Sequence, residues 1–333
     1  MMRKFLPEEL KKLSKPHEFS SNEDNGQVTI IGGSKLFHGA PILALKTASR
    51  IVDMVFFASP EPSVGGIAEQ LKSKLGSFIW IPWDEVGEYI AKSDAILIGP
   101  GLMRYHKKME NGKWKMENEE RKKTWDETGR KTKEVTETLL SKFPNKQWVI
   151  DAGSLQVMEP RYIPKNAILT PNQKEFEMLF GGELMELRSP TEILLSASDS
   201  LAKKRTLLND AHRRSQCEAS QNLAGSQHLL KALASKYHCI IVLKGVETIV
   251  CSPQECVLVE GGNAGLTKGG TGDVLAGLTV ALAAKNPPFL AACAASLIVK
   301  KAAEELSKKV GFAYNADDLA EKIPEVLGKH WHS

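Results

Sequence analysis

Short apolar runs alternate with longer, helix-compatible segments along most of the chain. Within each run the apolar residues occupy consecutive positions, as they must in strands that are covered on both faces of a sheet. Strands that alternate with helices predict an α/β fold with a mostly parallel central sheet and helices on both faces. The predicted strands are residues 28–34, 53–58, 95–98, 147–151, 167–170 and 239–244, with 248–251 as a hairpin return.

The ends of these predicted strands are polar. Almost every strand finishes in Gly, Asp, Asn, Thr or Lys. In sheets of this kind the ligand lies outside the carboxyl ends of the strands. We therefore expect the functional residues to share one crevice at that edge. A helix over 41–51, with proline in its first turn, is predicted to follow the first strand.

Two polar segments interrupt the pattern. Residues 103–142 are dense in both signs of charge and contain Trp114 and Trp125, whereas residues 183–235 are polar and helix-compatible. A lid or a homo-oligomer contact is one interpretation of each segment, and a solvated helical excursion is the favoured one. No linker divides the chain, so residues 1–333 are predicted to form a single domain with two insertions.

The most informative stretch is Gly-Gly-Thr-Gly-Asp at 269–273, directly before an apolar, helix-forming run. Glycines turn backbone N–H groups toward one point, where the free N–H groups of a helix N-terminus add to them, and the result suits phosphate. A carboxylate beside phosphate needs a role, and the simplest is a general base for a hydroxyl that attacks the phosphate. The alternative is an ordinary turn with Asp273 as N-cap. The order of the residues favours phosphate chemistry with Asp273 as the catalytic residue.

Asn172 and Glu175 follow a predicted strand and are three residues apart, so in the first turn of a helix they face the same way. An amide and a carboxylate so arranged are candidates to hold a hydrated Mg²⁺ ion, or its waters, beside a phosphate. The alternative is a helix cap, with Asn172 as N-cap and Glu175 closing a capping box. Both interpretations stay open together.

Three further loops at predicted strand ends are candidates for ligand contact. The run from Lys244 to Thr248 offers a charge and a glycine for close backbone approach, or else a plain β-turn. Gly32-Gly33-Ser34, with the His-Gly-Ala-Pro run at 38–41, gives a second glycine loop before a helix. Asp151 places a carboxylate at the sheet edge or caps a helix,.

Composition excludes some classes of function. The 44 basic and 40 acidic residues leave a net charge of +4, too slight to predict nucleic-acid binding,. The N-terminus lacks the apolar core of a signal peptide, and no apolar stretch is long enough to span a membrane. The five cysteines form no Cys-x-x-Cys pair, so reduced thiols and a cytoplasmic location are predicted.

The motifs appear in a specific order between about 25 and 327. In chain order the motifs are Asn-Gly-x-Val-x-Ile-Ile-Gly-Gly-Ser, His-Gly-Ala-Pro, Ile-Gly-Pro-Gly-Leu, Asp-Ala-Gly-Ser-Leu, Thr-Pro-Asn-x-x-Glu-Phe, Leu-Lys-Gly, the Gly-Thr-Gly-Asp run and Tyr-Asn-Ala-Asp-Asp-Leu. This order resembles the nucleotide-dependent NAD(P)H-hydrate dehydratase family of the ribokinase-like superfamily. The resemblance implies a ribokinase-like fold and a hydro-lyase that repairs hydrated NADH or NADPH while consuming ADP or ATP with Mg²⁺.

The resemblance also implies a chemistry. Water is a poor leaving group, whereas phosphate leaves readily, so Asp273 would deprotonate the substrate hydroxyl for attack on the nucleotide's terminal phosphoryl group. N–H groups of Gly270, Thr271 and Gly272 would stabilise the developing charge. Loss of phosphate, pushed by the ring nitrogen, would restore the dihydronicotinamide.

Site residues carry over by position in the motifs. Ala40, Gly101, Asn172 and Asp273 match positions that contact the hydrated nicotinamide nucleotide, and Glu175 is placed with them. The predicted adenine-nucleotide positions are Lys244, Gly245, Val246, Glu247, Thr248, Asn263, Gly270, Thr271 and Gly272.

The chain departs from the family in places. Asparagine stands at 172 where many members have histidine, and no room precedes Val28 for the epimerase domain sometimes fused to this one, so a separate epimerase is the expected pathway partner. The rival interpretations are a small-molecule kinase of the same fold, acting on a hydroxyethylthiazole or a sugar, and an inactive nucleotide-binding sensor. Turnover of hydrated NADH separates the three.

Overall fold

The computed structural model describes residues 2–104, 127–187 and 226–331. Its strands are β1 Arg3–Lys4, β2 Gln27–Ile31, β3 Met54–Ala58, β4 Ile79–Trp80, β5 Ala95–Ile98, β6 Gln147–Ile150, β7 Ile168–Leu169, β8 Ile240–Leu243, β9 Thr248–Cys251 and β10 Cys256–Val259. Its helices are α1 Gly39–Ala48, α2 Ser63–Leu71, α3 Val86–Lys92, α4 Glu127–Lys142, α5 Ala152–Val157, α6 Gln173–Leu187, α7 226–237, α8 Thr271–Ala283, α9 Pro288–Val310 and α10 Ala316–Trp331.

The ten strands form one sheet in the order β1-β10-β9-β8-β7-β6-β5-β2-β3-β4. Every neighbouring pair is parallel except that β9 runs antiparallel to both β8 and β10. The predicted mostly parallel α/β fold is therefore confirmed, as is the hairpin return after β8. The sequence analysis missed β1, β4 and β10.

Strand residues alternate between two apolar layers. In β5, Ala95 and Leu97 face the layer built with α1, α8, α9 and α10, while Ile96 and Ile98 face the layer built with α3 to α7. Because both faces are covered, every residue of β5 is buried and the strand reads as a continuous apolar run,. The helices α1 and α8 are in backbone contact, since a Cβ on Gly277 would lie 2.4 Å from the Ala44 carbonyl oxygen.

Parts of both predicted insertions bury side chains in the protein instead of forming solvated excursions. The helix α4 forms the second half of the first insertion, but its Thr136, Leu139 and Leu140 are buried. It is the crossover helix between parallel β5 and β6, which is why one face packs on the sheet. The second insertion begins inside α6 and ends inside α7, whose Leu230 and Leu233 are buried. Residues 105–126, with both tryptophans, and 188–225 lie outside the described ranges.

The expectation that all cysteines are reduced thiols is wrong for one pair. Cys251 and Cys256 form a disulfide. The register of the β9–β10 hairpin places these residues directly opposite each other, so the sequence spacing conceals a close contact. Cys239 and Cys293 are free and buried, and Cys217 lies outside the described ranges.

None of the helices within the described ranges combines the length and the apolar character that a membrane crossing requires.

Candidate active site

The N-terminus of α8 is a turn that only glycine can form. Gly270 is the N-cap residue, with φ at 93° in the left-handed region,. A Cβ there would lie 2.5 Å from Leu43 Cδ1 and 2.8 Å from Ala316 Cβ. The Gly270 carbonyl accepts the N–H groups of Asp273 at 3.0 Å and Val274 at 3.1 Å, and these bonds start the helix.

The threonine of the motif serves the loop itself. Thr271 Oγ1 lies 2.7 Å from the carbonyl oxygen of Leu266 and 2.9 Å from that of Lys268, within hydrogen-bonding distance of both. The Thr271 side chain therefore holds the loop in shape. Within the described ranges, the N–H groups of Gly270 and Gly272 have no backbone acceptor. The third predicted donor, the Thr271 N–H, instead donates to the Lys268 carbonyl at 3.4 Å, so the N–H groups of Gly270 and Gly272 remain for an anion.

The space at this helix terminus is open. A Cβ on Gly269 would meet nothing within 4 Å, and a Cβ on Gly272 would meet only the Nζ atom of Lys244, at 3.4 Å. The predicted anion site therefore combines backbone N–H groups, the positive end of the α8 dipole and one ammonium group. This arrangement suits a phosphoryl group.

Lys244 is held in place by two carboxylates. Its Nζ atom lies 2.8 Å from Asp151 Oδ1 and 3.7 Å from Glu175 Oε2. Asp151 is 1% exposed and also accepts the Thr170 hydroxyl at 2.8 Å. Burial acts to lower the pKa of Lys244, but attraction to Asp151 and Glu175 outweighs it, so the pKa is raised and the group stays charged,.

The environment of Asp273 fits a general base. Burial raises the pKa of its carboxyl to about 7, assisted by repulsion from Asp151 and Glu175 and opposed by attraction to Lys244 and Arg104. A base is most effective when its pKa lies near the working pH, because the ionised form is present and still basic. This pKa supports the role predicted for Asp273, and the role itself stays a prediction.

Asn172 and Glu175 form a reciprocal capping box at the start of α6. The Asn172 N–H donates to Glu175 Oε2 at 2.9 Å, and the Glu175 N–H donates to Asn172 Oδ1 at 3.0 Å,. Glu175 Oε1 accepts Gln156 Nε2 at 3.3 Å, and Lys244 lies beside Oε2. The cap interpretation is therefore confirmed, and both carboxylate oxygens of Glu175 have partners within the protein. The described residues contain no group of three or more metal-ligating side chains.

We expect Glu175→Gln to leave the Mg²⁺ concentration needed for half-maximal turnover unchanged, because glutamine keeps an acceptor for the cap and both carboxylate oxygens of Glu175 already have partners within the protein. The measurement is a Mg²⁺ titration of turnover at fixed nucleotide. Glu177→Gln, on an exposed residue of the same helix bonded to Gln173, is the matched control. A Mg²⁺ requirement raised only in Glu175→Gln would assign Glu175 to the metal after all.

The predicted substrate residue Gly101 lies on a loop that packs against the loop before α1, and the predicted substrate residue Ala40 lies in the first turn of that helix. The Gly33 N–H donates to the Pro100 carbonyl at 2.9 Å. Gly101 has φ at 71°, and a Cβ there would lie 2.4 Å from the Phe37 carbonyl oxygen. Ala40 is in the first turn of α1, the helix whose Leu43 packs on Gly270. The substrate loops therefore adjoin the anion site.

Four of the predicted nucleotide residues lie in or directly after the turn between β8 and β9. Gly245, Val246 and Glu247 form the turn between β8 and β9, where the Val246 side chain is 93% exposed. Thr248 begins β9, and its hydroxyl reaches the Gly245 carbonyl at 3.4 Å.

Asn263 differs from these because its side chain is used inside the protein. Its Oδ1 atom accepts the Gly265 N–H at 2.9 Å and the Tyr314 hydroxyl at 2.6 Å, while Nδ2 donates to the Ala303 carbonyl at 2.8 Å. The side chain therefore shapes the glycine loop, and the nucleotide-binding role of Asn263 stays a prediction.

The comparison with known families decides the identity. A family model described as NAD(P)H-hydrate dehydratase matches residues 28–325. The chain belongs to the NAD(P)H-hydrate dehydratase family. The resemblance inferred from the order of the motifs is thus confirmed.

Two relatives of this dehydratase-family chain come from archaea. It is 31% identical to the bifunctional NAD(P)H-hydrate repair enzyme Nnr of Methanocaldococcus jannaschii, over 96% of the chain and 51% of that protein. It is 26% identical to the ADP-dependent (S)-NAD(P)H-hydrate dehydratase of Nitrosopumilus maritimus, over 98% and 94%. The chain spans about half the length of the bifunctional relatives.

A solved structure of the same family shares the fold. The ADP/ATP-dependent NAD(P)H-hydrate dehydratase of Bacillus subtilis, co-crystallised with ATP and Mg²⁺, aligns with a TM-score of 0.69, covering 99% of each chain at 21% identity. The ribokinase-like fold predicted from the resemblance is confirmed.

Sequence reasoning missed the partnership of Asp151 with Lys244, as well as two other basic residues. The charge of Arg104 lowers the pKa of Asp273, and the guanidinium of Arg104 lies over the ring of Phe37, 5.7 Å from the ring centroid. Lys300 donates to the Val246 carbonyl. The Leu-Lys-Gly and Asp-Ala-Gly motifs identified the strand ends, but nothing in the spacing indicates that an ion pair joins them.

Proposed function

We propose that this protein dehydrates the hydrated forms of NADH and NADPH back to NADH and NADPH, using ADP or ATP as phosphoryl donor. The observation that carries the proposal is the position of Asp273. Its carboxyl, with a pKa of about 7, stands in the first turn of α8, beside an open anion site that Lys244 reaches.

The reaction begins with a proton transfer. Asp273 takes the proton of the hydroxyl at C6 of the hydrated nicotinamide ring, and that oxygen attacks the terminal phosphorus of the nucleotide. A new O–P bond forms while the bond to the nucleotide leaving group breaks, giving AMP from ADP or ADP from ATP. The N–H groups of Gly270 and Gly272 and the Lys244 ammonium stabilise the charge on the transferring group.

Elimination completes the repair. The lone pair of the ring nitrogen expels phosphate from C6, and loss of a proton from the adjacent carbon restores the ring double bond. A phosphate ester on a sugar or thiazole alcohol has no such neighbouring donor, so a kinase acting on those alcohols would release a stable ester.

Relatives support the choice of cosubstrate and metal. The Nitrosopumilus protein is named ADP-dependent, and the Bacillus structure was obtained with ATP and Mg²⁺. Because the oxygens of Glu175 are already bonded within the protein, we place any Mg²⁺ on the nucleotide phosphates, where it would screen their charge. Action on cellular NADH and NADPH fits a cytoplasmic location, and a separate epimerase would supply the second epimer of the substrate.

The test measures both products. With hydrated NADH and ADP or ATP, we expect recovery of the dihydronicotinamide absorbance and release of inorganic phosphate in equal amounts. Omission of nucleotide is the control and should abolish both signals. If hydrated NADH gives no response while another alcohol is converted to a stable phosphate ester, the protein is a kinase of the same fold and the dehydratase proposal fails.

A further inference from the structure

Lys300 is a buried lysine in the middle of α9. It is 4% exposed. Its aliphatic stem lies under the glycine turn that precedes the anion site, since a Cβ on Gly262 would lie 3.2 Å from Lys300 Cγ. Its Nζ atom ends beside the β8–β9 turn and donates to the Val246 carbonyl at 2.7 Å.

The ammonium of Lys300 has no ion-pair partner among the described residues. Glu247, Glu260 and Glu304 attract it, but none of them lies within salt-bridge distance, and Glu304 instead accepts the Gly262 N–H at 3.0 Å. Burial lowers the pKa of Lys300 below its ordinary value, against the attraction of these three carboxylates,.

The hydrogen bond to Val246 uses only part of the donor capacity of the Lys300 ammonium. A lysine ammonium carries three N–H donors, and Lys300 uses one of them on the protein,. A buried donor without an acceptor is unfavourable, and an acceptor supplied by a ligand would relieve that state.

The position of Lys300 indicates which part of a ligand it would meet. Lys244 lies at the start of the β8–β9 turn, and its Nζ atom lies beside Gly272 at the predicted anion site. Val246 lies two residues further along, roughly 7 Å at most between Cα atoms. A nucleotide with its terminal phosphate at Gly272 would place its nucleoside half toward Val246 and Lys300.

We propose that Lys300 is a nucleotide-binding residue, whose ammonium donates to an acceptor atom of the nucleoside half of the adenine nucleotide, beside the Val246 carbonyl. The inference rests on the proposed function, because it requires a nucleotide over the β8–β9 turn.

The test compares Lys300→Met with Lys301→Met by calorimetric titration of ADP. Lys301 is the next residue on the same helix, is more exposed and pairs with Glu304, so its variant should bind ADP like the wild type. Lys300→Met should bind ADP about 10- to 100-fold more weakly, the range for a lost hydrogen bond to a charged group. Lys300→Arg keeps a cationic donor and should recover part of the affinity for ADP.

The melting temperature without nucleotide separates binding from a structural role. Removal of a buried ammonium without an ion pair should leave the melting temperature of Lys300→Met unchanged or higher. A lower melting temperature together with weaker ADP binding would show that Lys300 only supports the turn. Wild-type affinity in Lys300→Met would overturn the inference alone, whereas failure of the wild-type protein to bind ADP would overturn the proposed function.

Discussion

Asp273→Asn should bind nucleotide normally and lose most of its turnover. Asparagine keeps the shape of the first turn of α8 but cannot accept a proton from the substrate hydroxyl. Removal of a general base typically lowers the rate by about 10² to 10⁴. The measurement is kcat with hydrated NADH, alongside a nucleotide titration. Turnover close to wild type would show that Asp273 is not the general base; it is not the helix cap either, because Gly270 is the N-cap residue of α8.

The same variant has an expected effect on stability. The carboxyl of Asp273 has a pKa of about 7 in the folded protein, against about 3.9 in the unfolded chain. Between these pH values the folded protein holds a proton on Asp273 that the unfolded chain has lost. The contribution of Asp273 to the free energy of unfolding therefore falls as the pH rises from about 4 to 7. Asp273→Asn should therefore raise the melting temperature more at pH 8 than at pH 5. Asp84→Asn, at an exposed position, is the control, and an equal change at both pH values would contradict the raised pKa.

Lys244→Met should lower turnover by about 10² or more, since it removes the only side-chain cation that contacts the anion site within the described ranges,. It should also shift the acid limb of the profile of kcat/KM against pH upward, because Lys244 lowers the pKa of Asp273. Asp151→Asn should shift that limb downward, because Asp151 raises the same pKa. Profiles from pH 5 to 9 measure both shifts, and shifts of the same sign would contradict this account.

Stability needs its own control in these variants. Lys244→Met leaves Asp151 buried without its partner, and breaking a buried pair costs about 3–5 kcal/mol. The double variant Lys244→Met/Asp151→Asn removes both charges and should regain much of that stability. If it also regains turnover, the loss in Lys244→Met came from the unpaired carboxylate and not from a missing contact with phosphate.

The fold was predictable where local pattern and burial coincide. The continuous apolar runs at β2, β3, β5 and β8 predicted strands because both faces of the sheet are covered. The two-residue strands β1 and β4 carry no local signal, since they exist only through pairing with β10 and β3. The strand β10 is a buried run of four residues, Cys-Val-Leu-Val, and its pattern is compatible with a strand.

The order of the motifs indicated which loops carry the candidate site, but it did not indicate which side chains of those loops contact one another. Motif order predicted a site at Asp273 and the preceding glycines, which the structure places at the N-terminus of α8. Asp151 and Lys244 are 93 residues apart in sequence, and only the adjacency of β6, β7 and β8 in the sheet brings them together. The pKa of Asp273 depends on these tertiary neighbours, so composition and spacing could not predict it.

The contact between α1 and α8 has a consequence for ligand binding. Leu43 of α1 occupies the space above Gly270, and the Ala44 backbone touches Gly277 of α8. The helix α1 follows a loop predicted to bind substrate and α8 follows the loop predicted to bind phosphate, so neither helix can shift without displacing the other. Under the proposed function, the two loops would therefore be aligned before either ligand arrives, and association would spend little binding free energy on assembling the reacting geometry.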